Sequence, residues 1–233
     1  MKSYIIRLNN NAISEKYAGL GVDQARKFGI DVEYFDGING LEYQQHVAQL
    51  GIEPRYKFKK GRVGVFGCFL SHYYLWQQCA AGNQPFLILE HDGYFIRPLP
   101  EHILDTFTDV LKLDGLDPYS KNYNTTVVAQ LNQPVVVSKY HNPQAKTLNE
   151  GSKFVEKIGT GNYIRGAYSY IIKPHAAQRL IDWIEQNGFV PADQQIGDAV
   201  VDIQVTVPTI ARLHPDYHDR IKELSLTVNS DLL

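Results

Sequence analysis

Short apolar runs separated by longer amphipathic stretches set the pattern of this chain. Residues Ser3 to Leu8 are mostly apolar and end at Asn9-Asn10-Asn11, which predicts a buried strand followed by a turn. From Ser14, read as the helix cap, to about Phe28 the spacing is helical, and Gly29 supplies a stop. A second strand is predicted over Ile30 to Phe35, a turn-rich loop over Asp36 to Gly40, and a short helix over Leu41 to Leu50. Strand, helix, strand and loop in this order open an α/β sheet with crossover helices.

Further along, Val63 to Ala81 is apolar on nearly every side, which predicts a central buried helix. Pro85 to Leu89 reads as a short apolar strand running into Glu90-His91-Asp92-Gly93. The stretch from about 114 to 162 is rich in Asn, Gly, Pro and Lys, with apolar bursts at Thr125–Ala129 and Val135–Val137. It is predicted as an irregular insertion over 115–162, a hairpin plus a mobile loop. Tyr163 to Ile172 reads as a strand, Pro174 to Asn187 as a helix ended by Gly188, and Val205 to Leu213 as the last strand. With no linker and no internal repeat, 1–233 is expected to be one domain.

Composition narrows the class. The chain has 233 residues, 44% of them hydrophobic and 21% charged, which excludes disorder, collagen-like repeats and coiled coils. A net charge of −2 argues against nucleic acid or an anionic membrane as partner. No run approaches the ~18 apolar residues of a membrane span. Arg7 interrupts the first apolar run, so no secretory leader is read there and a cytoplasmic location is expected. Cys68 and Cys79 fall on one predicted helix, about 16 Å apart along its axis, too far for a disulfide. They are expected to be inert core thiols in a reduced compartment.

The sharpest candidate chemistry is Glu90-His91-Asp92. A buried strand delivers two carboxylates to its C-terminal end, the edge where open α/β sheets bind ligands. Two such carboxylates can hold a hard divalent cation together with phosphate oxygens, or simply cap a loop. Arg7 and Asp36 sit at the ends of the first two strands, where arginine can reach a phosphate and aspartate a ribose hydroxyl, or where they pair with each other. Arg55 to Arg62 carries five basic residues in eight and reads as a solvated face or as a clamp for a diphosphate.

Gly67-Cys68-Phe69-Leu70-Ser71-His72, then Trp76, then Leu87 to Asp92, resembles the signature of glycosyltransferase family 25, which includes lipooligosaccharide and collagen galactosyltransferases. Tyr4 to Asn9 with Phe35 to Gly40 is similar to the family's first strand and following loop. Ala167 to Ile172, Ala176, Ala177 and Leu180, then Pro191-Ala192-Asp193, is similar to its later blocks. The order holds from residue 3 to about 215. Three positions depart: His91 replaces the central carboxylate of Glu-Asp-Asp, Val65-Phe66 replaces an acidic residue before Gly67, and Lys16 stands where arginine is common.

The resemblance implies a GT-A-like, Rossmann-like mixed sheet flanked by helices in a single domain. It implies transfer of a hexose, galactose or glucose, from a UDP-sugar to a carbohydrate acceptor, with inversion, in lipopolysaccharide or surface glycan synthesis. A divalent cation, Mn2+ or Mg2+, is implied on Asp92 and Glu90, with His214 a third ligand. Asp193 is the first candidate general base and Asp198 the second, although an aspartate at 193 would equally cap a helix. Donor contacts are expected from Arg7, Asp36, Ser71, His72, Glu90 and His91, with His72 otherwise a core histidine. The alternative is a catalytically degenerate GT-A domain that binds nucleotide or glycan as a scaffold, which the histidine at 91 favours.

Overall fold

The computed structural model describes residues 1–55, 63–117, 120–142, 161–220 and 224–226. The first strand, β1 (Lys2–Arg7), leads into helix α1 (Ala12–Lys27) and then β2 (Glu33–Asp36). Ser14 is not the cap of α1. Asn11 is, and its side chain accepts from the Ser14 N–H, while the buried Ser14 hydroxyl accepts from the Leu8 N–H at 2.8 Å. A single 3-10 turn, Gly40–Glu42, precedes α2 (Tyr43–Leu50). The basic residues from 56 to 62 lie outside the described residues.

Helix α3 (Val63–Ala80) then runs to β3 (Phe86–Leu89). Two three-residue strands follow that the sequence pattern was too short to reveal, β4 (Gly93–Phe95) and β5 (Val110–Lys112). The stretch predicted as a hairpin contains instead α4 (Tyr123–Gln130) and the strand β6 (Val136–Lys139); residues 143–160 of that insertion lie outside the described residues. Thr125 and Val127 are β-formers by propensity, but Tyr123 and Val127, four apart, bury one helical face and decide the conformation. The predicted strand over 163–172 shortens to β7 (Ser169–Ile172), because Gly166 turns the chain with φ +75.

Helix α5 (Pro174–Asn187) and the short α6 (Ala192–Gln195) come next. The last predicted strand divides into β8 (Ile203–Val207) and β9 (Ala211–Leu213). Pro208, which has no N–H for a ladder, stands at the break. A five-residue helix, α7 (Pro215–Asp219), closes the described elements.

Seven strands form one mixed sheet in the order β2-β1-β3-β7-β5-β8-β6, while β4 and β9 pair separately. β1 runs parallel to β2 and β3, and β7 runs antiparallel to β3. Phe86, Leu87, Ile88 and Leu89 are at most 2% exposed, so β3 is covered on both faces. Phe86 and Ile88 pack beneath α3 and α5, and Leu87 and Leu89 face the cluster built on α1. This is the expected mixed sheet between helices. Its consequence is positional: the C-terminal ends of β1, β2 and β3 and the N-terminal end of β7 share one edge.

Candidate active site

That edge carries a cavity of about 250 Å³. Glu90, His91 and Asp92 enter it from the end of β3, and Tyr168 from the start of β7. Helix α5 packs along α3 and returns the chain to the same edge, so that Asp193 in the first turn of α6 joins them. A smaller cavity of about 50 Å³ adjoins it, between the end of β1, the loop at Ile38–Gly40 and the α3 face that carries Ser71 and His72. Cys68, Glu90 and His91 line both.

The signature glycine has a steric reason. A Cβ on Gly67 would stand 2.4 Å from the Ile38 carbonyl oxygen and 2.6 Å from the Gly40 nitrogen, and one on Gly40 would stand 2.2 Å from the Val63 oxygen. The loop after β2 therefore lies against the backbone of α3, which only glycine permits at both positions. Ser71 fastens this contact: its hydroxyl donates to the Gly67 carbonyl at 2.7 Å and accepts from the Ile38 N–H at 2.9 Å.

Three carboxylates converge on the larger cavity, and their surroundings pull them apart. Burial raises the Glu90 carboxyl, but the hydrogen bond and electrostatic pull of His72, with His91 and the Cys68 thiol, outweigh it and hold Glu90 below its ordinary value. Asp92 is 6% exposed; burial first and the Glu90 charge second push it well above. Burial, again with Glu90, raises Asp193 to about 6. The His91 imidazole is lowered by burial to about 4, against the pull of Glu90. Glu90 is thus held toward its anion, while Asp92 and Asp193 are pushed toward their protonated forms.

Among the described residues, Asp92 Oδ1 and His91 Nε2 are buried with no hydrogen-bond partner. A buried carboxylate oxygen without a donor, beside a second carboxylate, fits a hard divalent cation, which binds through oxygen and needs no proton from the protein. Asp92 and Glu90 are the residues suited to hold it. A third group of atoms, Cys68 Sγ, His72 Nε2 and a Glu90 oxygen, lies within 4.8 Å, but these atoms are bonded to one another: His72 at 3.2 Å and the Cys68 thiol at 3.6 Å from Glu90 Oε1. Cys68 is therefore a wall of the cavity rather than the core thiol its position in the sequence suggests. Burial and Glu90 keep it protonated. Both cysteines are free.

Other expected residues lie elsewhere. Arg7 Nε and Asp36 Oδ1 pair with each other at 3.2 Å at the ends of β1 and β2, and the guanidinium lies 4.2 Å from the Tyr34 ring centroid. Asp198 is exposed and accepts from Asn162 Nδ2 at 3.0 Å, in a separate groove beside Asp109 and Arg179. His214 touches the site through its backbone only: its N–H donates to the Asp92 carbonyl at 2.7 Å, while its Nδ1 accepts from the Asp216 N–H and its ring packs against Tyr94 and Tyr17. Asp193 does not cap α6; Pro191 occupies that position.

Cys68, Tyr168 and Tyr217 escape a reading of the sequence as site residues. One signal was present: Cys68 and His72 are four apart on a helix and must share a face. Tyr217, whose ring centroid lies 5.3 Å from that of His91, comes from α7, far along the chain, and nothing local announces it.

The family model for glycosyltransferase family 25 (LPS biosynthesis protein) matches residues 1–196. A glycosyltransferase 25 family member of Aedes aegypti is 30% identical over 100 residues, covering 39% of this chain and 16% of the relative. One of Anopheles gambiae is 31% identical over 98 residues, covering 38% and 16%. The matched segments thus span about a sixth of these relatives' length. Among solved structures, mouse xyloside xylosyltransferase 1 covers 84% of this chain and 80% of its own, at 9% identity and a TM-score of 0.39. The model match runs through Cys68, His72, Glu90–Asp92 and Asp193, which line the two adjoining cavities, and the chain belongs to glycosyltransferase family 25.

Proposed function

We propose that the chain transfers a hexosyl unit, galactose or glucose, from a UDP-sugar to a carbohydrate acceptor in lipopolysaccharide or surface glycan synthesis. The observation that carries this reading is the buried, partnerless Asp92 Oδ1 beside Glu90, in a cavity that also holds Asp193. Asp92 and Glu90 would hold a divalent cation, Mn2+ or Mg2+, which when bound neutralises the charge that grows on a departing diphosphate. Asp193 is the general base: with an affinity for protons raised to about 6, it is deprotonated at neutral pH and basic enough to take the acceptor hydroxyl proton. In-line attack by that oxygen on the anomeric carbon, as the UDP oxygen leaves, inverts the centre. The loop clasped by Ser71 and the Arg7–Asp36 pair at the ends of β1 and β2 shape the donor side. Asp198 and the His214 ring take no direct part in this reading.

Calorimetry with UDP, UDP-galactose and UDP-glucose, with manganese or with chelator, tests the proposal on the full chain and on Asp92→Asn. Metal-dependent binding that the substitution abolishes is the expected result; binding indifferent to both would remove the metal from the reading. His91 in place of the family's central carboxylate favours a second reading, a domain that binds nucleotide or glycan without turnover. Donor binding with no transfer to any glycan in an acceptor screen would select it.

A further inference from the structure

Trp76, Tyr170, His72 and Glu90 form one hydrogen-bonded chain from the core to the cavity. Trp76 Nε1 lies 2.9 Å from the Tyr170 hydroxyl, that hydroxyl 2.8 Å from His72 Nδ1, and His72 Nε2 3.2 Å from Glu90 Oε1. Trp76, Tyr170 and His72 are 0% exposed, so bulk water offers them no substitute partner.

The direction of the chain follows from its ends. An indole N–H only donates, which makes the Tyr170 oxygen an acceptor from Trp76. The Tyr170 proton then needs an acceptor, and His72 Nδ1 is the atom in reach. With Nδ1 accepting, the proton of the neutral ring sits on Nε2, aimed at Glu90, which as a carboxylate only accepts. Every polar atom of the chain is then used once. The reverse order, with Nδ1–H donating to Tyr170, strands the tyrosine proton and sets a nitrogen lone pair against carboxylate oxygen.

We infer that Trp76 and Tyr170 are positioning residues that fix His72 as an Nε2–H donor, and that this donor orients the Glu90 carboxylate in the cavity. The value of an oriented Glu90 rests on the nucleotide-sugar reading of the site; the tautomer does not. The inference also decides what the Cys68, His72 and Glu90 cluster is. Three such ligand types within 4.8 Å would suit a thiophilic cation such as zinc. A ring nitrogen that carries a proton cannot ligate a metal, so the cluster is a hydrogen-bonded clamp on Glu90.

Long-range proton–nitrogen correlation spectra of the 15N-labelled full chain, with the ring neutral, read the tautomer directly. His72→Gln assigns the signal by its loss. The Nε2–H form is expected; the Nδ1–H form would overturn the inference, and neither outcome depends on UDP binding. In the second arm, Tyr170→Phe is expected to weaken UDP–manganese binding about 10-fold, the low end for a partner one shell removed, although Tyr170 lines neither cavity. His72→Gln, whose amide still donates to Glu90, should keep most of the affinity that His72→Ala loses. Unchanged affinity in His72→Ala would end the orienting role. Addition of Co2+ alone should give no thiolate charge-transfer band; a band that Cys68→Ser removes would show a metal site instead. If the parent chain binds no UDP while the Nε2–H tautomer is present, the donor reading fails and the positioning chain stands.

Discussion

The backbone N–H of His214 donates to the carbonyl of Asp92 at 2.7 Å, and so ties the start of α7 to the acidic end of β3. The β4–β9 pairing, with Gly93 opposite Leu213, continues the same tie. Tyr217 is thereby set against the His91 ring, and residues far apart in the chain complete one cavity.

Asp193→Asn should lower turnover by about 100-fold or more, the usual contribution of a general base. Asp198→Asn, in its separate groove, should leave turnover within about twofold. Steady-state rates of the two variants under saturating donor check this pair. Equal losses would remove Asp193 from its proposed role.

The pH dependence of Asp193 has two signs. As a base it must be deprotonated, so turnover should rise with pH through about 6 and then level. Its raised value also means that the folded state binds more protons than the unfolded one between the ordinary carboxylate range and about 6. Stability of the metal-free protein should therefore fall as pH rises through that window, by at most about 3 kcal/mol from this residue. Asp193→Asn should flatten the fall, which denaturant titrations at several pH values would reveal.

Asp92→Asn should abolish metal-dependent UDP binding without costing stability. A neutral amide replaces a carboxyl that burial and Glu90 already disfavour as an anion. Thermal melts at neutral pH should show the variant at or above the parent. A marked loss would mean that the carboxylate supports the fold.

Gly67→Ala places a methyl 2.4 Å from the Ile38 carbonyl oxygen, a backbone atom that cannot rotate away. We expect a loss of about 2–3 kcal/mol in chemical denaturation. Ser71→Ala leaves the Ile38 N–H without its acceptor and should cost about 1–2 kcal/mol. Both should weaken donor binding through the displaced loop.

Much of the fold is legible along the chain because local periodicity reports local burial. β1, α1, α3, β3 and α5 all fall where apolar spacing puts them. The misreadings have a common cause, which is competition between neighbours in sequence and neighbours in space. Thr125–Ala129 has strand propensity but buries Tyr123 and Val127 on a helical face. Val205–Leu213 reads as one strand, yet its two halves, on either side of Pro208, pair in different sheets.

The same division holds for the candidate site. The sequence alone determined the acidic strand end at Glu90–Asp92, the helix carrying Gly67, Ser71 and His72, and the family resemblance, since each lies within a few residues of its own context. Only the tertiary structure decided which distant groups meet them. It brought Asp193 to Glu90 and left Asp198 in another groove, turned the His214 ring away while using its N–H, and ran a hydrogen-bonded chain from Trp76 through Tyr170 to His72. Such meetings depend on strand order and helix return, which place residues about 100 positions apart within hydrogen-bond distance, and no local pattern encodes that distance.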